Sequence, residues 1–264
     1  MYSQSGDAGH AIEYRGISKS FGSMLALDNI SLNVRKGEFV AIVGPSGCGK
    51  STLLSLAAGI EDASGGEVRY MGRTVDGPNR QVGFVTQKDL LLPWRTVEDN
   101  IRFPLELRGE TQDISARVAE VIAQVGLSGF DKKYMSQLSG GMRKRVAIAR
   151  TLVYKPDVYL MDEPFGSLDA QLRTTMHTDV LRLWRETGST IVFVTHDLGE
   201  AVVLAERVIV MTGRPGSIKA EVPIEMNKSA YRDAVSIQTA PEFQHYFAKL
   251  WSLLKSDEKQ EVAA

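Results

Sequence analysis

The chain has 264 residues, of which 43% are hydrophobic and 24% are charged, as is usual for a soluble globular protein. Its 31 Lys and Arg residues nearly balance its 32 Asp and Glu residues, and the net charge is -1. Because general nucleic-acid binders usually carry a basic excess, we expect no nucleic-acid partner.

Signals for export or for crossing a bilayer are not apparent. Residues 1–10 are polar and lack the basic and apolar regions of a secretory signal. The longest apolar runs, such as 56–60, fall far short of the roughly 18 residues needed for a membrane span. The single cysteine, Cys48, excludes an intramolecular disulfide and fits a reducing compartment. We therefore expect a cytosolic chain.

The N-terminal part predicts strands around a glycine-rich loop at residues 44–51. The run Phe39–Val43 before this loop is continuously apolar, as in a strand buried on both faces of a parallel sheet. The elements predicted here are strands at 12–17, 30–34, Phe39–Val43, 67–71 and 82–86 and a helix at 52–60.

The middle of the chain, residues 90–152, shows few strand signals and predicts a helical insertion. Residues 114–125 have helical periodicity, whereas Pro93 and Pro104 are expected to interrupt the early part.

The C-terminal half returns to alternating strands and helices, which favours a parallel sheet covered on both faces. The predicted strands are 158–161, 190–195 and 208–211, and the predicted helices are 170–186, 198–205 and 241–254. In the last helix, Phe243, Phe247, Leu250 and Leu254 form one apolar stripe, which we expect to pack on the chain's own domain.

The loop at 44–51 (GPSGCGKS) matches the phosphate-loop pattern G-x4-G-K-[ST]. Its glycines let successive N–H groups face one concavity, and the helix that follows turns its positive end to the same place. Lys50 adds a charge, and the Ser51 hydroxyl can ligate Mg2+. The residues expected to bind ATP here are Gly44, Pro45, Ser46, Gly47, Cys48, Gly49, Lys50, Ser51 and Thr52.

Further polar residues follow the predicted strands. Asp162 and Glu163 end the strand at 158–161, where Asp162 can reach Mg2+ and Glu163 can orient or deprotonate a water. His196 and Gln87 follow two other strands. Ser139-Gly140-Gly141 precedes a basic helical run and forms a second phosphate-binding arrangement.

Together and in this order, these motifs resemble the nucleotide-binding subunit of an ABC transporter over about residues 12–211. The resemblance implies an α/β P-loop NTPase fold, with a RecA-like parallel-sheet core, an antiparallel β subdomain and a helical subdomain at about 90–152. It implies one nucleotide-binding domain over 12–235, then a C-terminal helix and tail at 236–264.

The resemblance also implies roles for individual residues. ATP and Mg2+ would be the cofactors, with Ser51, Gln87 and Asp162 at the metal. Phe21, where the family often has Tyr, would stack on adenine. Gln87 would also touch the attacking water, Glu163 would act as general base and His196 would contact the γ-phosphate.

A head-to-tail homodimer is implied as well. Ser139, Gly140 and Gly141 of one copy would close over the ATP of the other, and the loop at 167–169, with Asp169, would link the two sites. The family signature usually ends in Gln where this chain has Met142. We expect hydrolysis to survive, and the polar contact of that Gln is in doubt.

The segments EPFGSLDA at 163–170 and LLPWR at 91–95 resemble the ATPases of nitrate, sulfonate and taurine importers. The implied partners are integral membrane permease subunits, whose coupling helix would dock at about 87–100, and indirectly an extracytoplasmic solute-binding protein. The implied location is peripheral, on the cytoplasmic face of a bacterial inner membrane. From the residues alone, Trp94 and its apolar neighbours could equally be core.

Other functions stay open at this point. The solute could be a small anion or sulfonate, or a thiamine-precursor-like or other heterocyclic compound. A phosphate-loop kinase would explain residues 44–51 but would give Ser139-Gly140-Gly141 and His196 no role. A soluble ABC ATPase outside transport typically has two cassettes or a long coiled coil, and the sequence shows one motif set and no heptad run.

Overall fold

The computed structural model describes residues 9–166, 168–231 and 233–261. Ser167, in the loop expected to link the two sites of a dimer, lies outside these ranges. The strands are β1 His10–Phe21, β2 Met24–Arg35, β3 Phe39–Val43, β4 Gly65–Tyr70, β5 Arg73–Thr74, β6 Val82–Val85, β7 Val158–Asp162, β8 Thr190–Val194, β9 Arg207–Met211 and β10 Ile218–Pro223. The α-helices are α1 Lys50–Ala57, α2 Val97–Leu107, α3 Ile114–Gln124, α4 Gly140–Leu152, α5 Ala170–Thr187, α6 Leu198–Leu204, α7 Ala234–Gln238 and α8 Pro241–Glu261.

The central sheet has six strands in the order β10-β9-β3-β8-β7-β6. Strands β9, β3, β8, β7 and β6 run parallel, and β10 pairs antiparallel with β9. All residues of β3, β7 and β8 are buried, which explains their continuous apolar sequence. Since parallel strands end at the same edge, the loops after β3, β6, β7 and β8 meet there.

A second, antiparallel sheet has the order β2-β1-β4-β5. Its apolar face shares a core with one face of the central sheet and with α1, and the Tyr14 hydroxyl donates to the Leu53 carbonyl of α1 at 3.0 Å. The opposite face of the central sheet packs against helices. The antiparallel sheet therefore lies beside the phosphate loop that begins α1.

The helical region contains α2, α3 and α4, as expected, but the effect of Pro104 was predicted wrongly. Pro104 lies inside α2 rather than ending a helix. A proline in a helix interior costs about 3 kcal/mol. The buried stripe of Val97, Ile101 and Leu105 packs α2 against α3 and α4, and this packing offsets the cost.

The C-terminal helix α8 packs on α6 and β9 of its own domain, which confirms the expectation from its apolar stripe. Phe243 and Leu250 are buried in that contact. Within the described ranges, no helix has the length and apolar character required to span a bilayer.

Candidate functional site

The loop between β3 and α1 has the geometry of a phosphate cradle. Gly49 adopts φ 98°, and a Cβ there would lie 2.4 Å from Leu27 Cδ2, so only glycine fits. Helix α1 begins at the next residue, Lys50, so its unpaired N–H groups face the loop. The Lys50 ammonium donates to the carbonyls of Gly44 and Pro45 at 2.8 Å each, which folds it across the mouth of the loop.

A pocket of about 320 Å³ lies beside this loop. The predicted site residues that line it are Phe21, Ser46, Gly47, Gly49, Lys50, Ser51, Thr52, Gln87 and Glu163. Gly44, Pro45 and Cys48 are not among the described lining residues, because the first two turn their carbonyls to Lys50 and the Cys48 side chain is buried.

Phe21, at the end of β1, lines this pocket and is 42% exposed. The Lys19 ammonium lies 4.8 Å from the ring centroid. That ammonium is itself fixed, since it donates to the Glu61 carboxylate at 2.9 Å and to the Asp62 carbonyl at 2.7 Å. The anchored ring therefore offers a stacking surface for a planar base.

Asp162 ends β7 beside Ser51, and its environment is suited to a ligand of Mg2+. Its Oδ1 atom is buried and has no hydrogen-bond partner within the described chain. Burial raises the pKa of Asp162, and the Ser51 hydroxyl opposes the rise by a hydrogen bond. The described residues contain no group of three His, Cys, Asp or Glu side chains suited to a metal. A cation here would thus rely on Ser51, Gln87, Asp162 and the nucleotide's own oxygens, as Mg2+ commonly does.

Three predicted catalytic side chains meet at one carboxylate oxygen. Glu163 Oε2 lies 3.2 Å from Gln87 Nε2 and 3.3 Å from His196 Nδ1. These residues follow β7, β6 and β8, whose ends the parallel sheet aligns. Asp197 caps α6 by accepting from the Gly199 N–H at 2.8 Å, which fixes the turn that carries His196.

The backbone of Glu163 is unusual because its φ is 45°, in the left-handed region. A non-glycine residue there costs on the order of 1 kcal/mol or more and is typically held by its surroundings. The Glu163 N–H donates to the Val194 carbonyl of β8 at 2.9 Å, which supplies one such restraint. The strained backbone directs the carboxylate toward Gln87 and His196.

The signature residues lie elsewhere. Among the described residues, those lining the pocket do not include Ser139, Gly140 or Gly141. Ser139 caps α4 by accepting from the Met142 N–H at 3.2 Å, and Met142 packs partly buried against the core. Asp169 similarly caps α5 through the Leu172 N–H at 2.9 Å. The chain therefore does not bring its own signature to its own pocket.

Three residues to which no sequence motif pointed also line the pocket: Met24, Ala26 and Arg214. Arg214 belongs to the turn after β9, and its Nε and Nη2 atoms donate to the Gly47 carbonyl at 3.3 and 3.2 Å. The Arg-Pro-Gly order at 214–216 marks a turn, but nothing in it predicts a contact with the phosphate loop.

Comparison with known proteins shows extensive similarity. The ABC transporter family model matches residues 27–166. The ABC transporter ATP-binding protein MJ0412 of Methanocaldococcus jannaschii is 46% identical and covers 88% of this chain and 85% of its own. The taurine import ATP-binding protein TauB of Jannaschia sp. is 43% identical over 87% of this chain and 88% of its own. The nitrate import ATP-binding protein NrtD of Synechocystis sp. is 42% identical over 92% of this chain and 93% of its own.

Solved structures give the same result. The dimeric structure of the bacterial ABC transporter cassette MJ0796 aligns with a TM-score of 0.76 at 31% identity, covering 81% of this chain and 99% of that one. A post-hydrolysis dimeric structure of this cassette, with ADP and Pi bound, aligns with a TM-score of 0.75 at 32% identity over the same shares. The P-loop NTPase fold expected from the motifs is thereby confirmed. The chain belongs to the ABC transporter family, as one of its ATP-hydrolysing cassettes.

Proposed function

We propose that this chain is the ATPase subunit of an importer for a small anion or sulfonate-like solute. One observation carries the catalytic part of the proposal. Glu163 lines the nucleotide pocket and has Gln87 and His196 within 3.3 Å of one carboxylate oxygen. A carboxylate held in this way can act as general base for a water beside the γ-phosphate.

The chemistry follows from these positions. Residues 46, 47 and 49–52, with the charge of Lys50, grip the phosphates, while Phe21 supports the base. As a water oxygen attacks the γ-phosphorus, Glu163 accepts a proton from that water, and the bond from the γ-phosphorus to the β–γ bridging oxygen breaks. Gln87 and His196 hold the carboxylate and the water in line.

Ser51, Gln87 and Asp162 would hold a Mg2+ ion, and the unpartnered Asp162 Oδ1 supports this set. When bound, the cation neutralises charge on the phosphate oxygens. In this scheme Asp162 binds the metal only and is not the general base, because Glu163 is the carboxylate that contacts Gln87 and His196.

The chain is proposed to work as a homodimer. Ser139 and Gly140 are exposed at the N-terminus of α4, outside the chain's own pocket, so a second copy can place its ATP there. Asp169, at the start of α5, is proposed to link the two sites. The dimeric state of the MJ0796 cassette supports this arrangement.

Transport requires membrane partners, and several exposed apolar side chains support their docking. Trp94 is 71% exposed, Leu107 70% and Leu90 63%. These side chains fit a coupling helix of a permease subunit, with a solute-binding protein acting from the other side. The chain would then lie peripherally on the cytoplasmic face of a bacterial inner membrane. The taurine and nitrate import roles named for TauB and NrtD favour an anionic solute.

The decisive experiment replaces Glu163 by Gln. We expect ATP turnover to fall by about 100-fold or more, because the base is lost while the phosphate loop is intact. ATP binding should persist, and an ATP-dependent dimer should accumulate on size-exclusion chromatography. Glu186→Gln, at the exposed end of α5, is the control and should hydrolyse normally. Normal turnover in Glu163→Gln would overturn the assignment of the base.

Isolating the intact complex and identifying the solute held by its binding protein tests the solute class.

A further inference from the structure

The segment 86–90, here called the Gln87 segment, joins β6 to the region before α2 and is attached to α4 through its own backbone. The Lys144 ammonium on α4 donates to the carbonyls of Thr86 and Gln87 at 3.0 and 2.9 Å. The contact therefore fixes the main chain of Gln87 itself, rather than its side chain.

A second cation of α4 completes the attachment. Arg150 donates through Nη1 to the Leu90 carbonyl at 2.9 Å and through Nη2 to the Asp89 carbonyl at 3.2 Å. Four carbonyls of a five-residue segment thus accept hydrogen bonds from one helix. The main chain of this segment is therefore attached to α4 at four points.

Lys144 is buried to an unusual degree for a lysine, with 2% of its surface exposed. Its ammonium faces the two carbonyls and lies 3.8 Å from the Asp89 carboxylate, so its donors have partners inside the protein. Burial lowers the pKa of Lys144, and the nearby carboxylates oppose that change. Burying an ammonium is costly unless it is hydrogen-bonded, so these contacts are what allow Lys144 to be buried here.

The two ends of the attachment belong to different parts of the site. Helix α4 begins with Gly140 and Gly141 of the signature, whereas Glu163 directly follows β7 of the central sheet. The contact between Gln87 Nε2 and Glu163 Oε2, at 3.2 Å, therefore spans from a segment held by α4 to the central sheet.

We propose that Lys144 is a positioning residue that makes the Gln87 segment and the signature helix α4 move as one body. A shift of α4, as when a second copy's ATP engages its N-terminus, then moves the Gln87 side chain toward or away from Glu163. Hydrolysis in one site is thereby made sensitive to occupation of the other. This inference rests on the proposed roles of Gln87, Glu163 and the signature.

A matched control lies one residue further along the helix. Arg145 also donates to two backbone carbonyls, those of Val125 and Gly126, at 3.0 and 2.8 Å. These carbonyls end α3, so Arg145 ties two helices of the helical region together and does not hold the Gln87 segment. Loss of either cation removes two carbonyl contacts, but only one of the losses releases Gln87.

The test compares Lys144→Met with Arg145→Met. For Lys144→Met we expect kcat for ATP to fall about 10- to 100-fold, because Gln87 loses its alignment. The Kd for ATP should stay within about threefold of wild type, because the phosphate loop is untouched. Arg145→Met should lower the melting temperature and leave kcat within about twofold. Lys144→Arg, which retains a cation and donors, should recover part of kcat.

A second measurement does not depend on ATP hydrolysis. Hydrogen–deuterium exchange of a peptide covering residues 86–92 should become faster in Lys144→Met and stay unchanged in Arg145→Met. If Lys144→Met does not fold, Lys144→Gln, which keeps the two donors of an amide group, is measured per folded molecule. The proposal is overturned if kcat in a folded Lys144 variant equals that of wild type, or if exchange in this segment is unchanged. Glu163→Gln tests the proposed function separately, so the two failures are distinguishable.

Discussion

Arg214 places a positive charge at the edge of the nucleotide pocket, beside the phosphate loop. Besides its two bonds to the Gly47 carbonyl, its Nη1 atom lies 3.1 Å from the Met24 sulfur. The turn that carries it is fixed on the same loop, since a Cβ at Gly216 would lie 1.9 Å from the Cys48 carbonyl oxygen. A guanidinium held in this way lines the pocket beside Ser46 and Gly47 of the phosphate loop.

Arg214→Ala should therefore weaken ATP binding, by up to about fivefold because the side chain is exposed and partly screened. Titration with a fluorescent ATP analogue measures the change, and raising the salt concentration should shrink it. Arg182→Ala is the control, because Arg182 is exposed on α5 and pairs with Asp179 away from the pocket. Equal affinities of Arg214→Ala and wild type would show that the guanidinium does not interact with nucleotide.

Single residues differ in how far the sequence predicts their position. Gln87, Glu163 and His196 were predicted to lie together because each follows a strand of one parallel sheet, and the structure brings them within 3.3 Å. Their chemical roles stay predictions until turnover is measured. Lys144 stands in a run of three cations, which ordinarily marks a solvated face, so its burial depends on tertiary packing that no local pattern reveals.

Among the elements, α8 carries a row of aromatic side chains that runs from the buried Phe243 to the exposed Trp251. Phe243 stacks on Phe247 with ring centroids 6.0 Å apart, and Phe247 stacks on Trp251 at 6.4 Å. Leu250, on the same apolar stripe as Phe243 and Phe247, is fully buried, whereas Trp251 is 55% exposed. The helix thus contributes to stability through Leu250 and Phe243 more than through its larger tryptophan.

Leu250→Ala should lower the free energy of unfolding by about 2–5 kcal/mol, because it leaves a cavity between α8 and the domain. Trp251→Ala should cost about 1 kcal/mol or less, since most of that side chain is already in water. Urea denaturation of both variants compares the two positions. A larger loss in Trp251→Ala would mean that α8 is held mainly by its aromatic row.

The elements also show where sequence patterns stop being informative. Buried parallel strands were predicted well, since a strand covered on both faces has few polar residues. The continuous helix α2 was not predicted, because Pro104 has a low helix propensity. Packing of α2 against α3 and α4 outweighs that propensity. Strands β1 and β2 extend well beyond their alternating cores because each pairs with the other along most of its length.

For the whole molecule, the segment with Leu90 and Trp94 is the surface proposed to dock the membrane subunits. The sequence left open whether these residues were core, and the structure exposes both while Leu91 packs inward. Because Arg150 holds the Leu90 carbonyl, this surface is mechanically continuous with the Gln87 segment. A partner seated there would sense the state of the nucleotide site.

Trp94→Glu should reduce co-purification of the chain with integral membrane subunits about tenfold or more, because a charge would replace the apolar contact. ATP binding by the isolated variant should be unchanged. Trp251→Glu, another exposed tryptophan but on α8, serves as the control and should co-purify normally. Retention of the membrane partner by Trp94→Glu would remove this surface from the docking proposal.

The place of β3 in the sheet has a consequence for biosynthesis. Its parallel neighbours, β8 and β9, both lie in the last third of the chain, so β3 gains them only after synthesis has passed Met211. Until then the wholly apolar strand Phe39–Val43 emerges from the ribosome without the sheet that will cover it, a condition that favours capture by chaperones. The phosphate loop is thus translated early, whereas both strands that flank β3 in the sheet are made late.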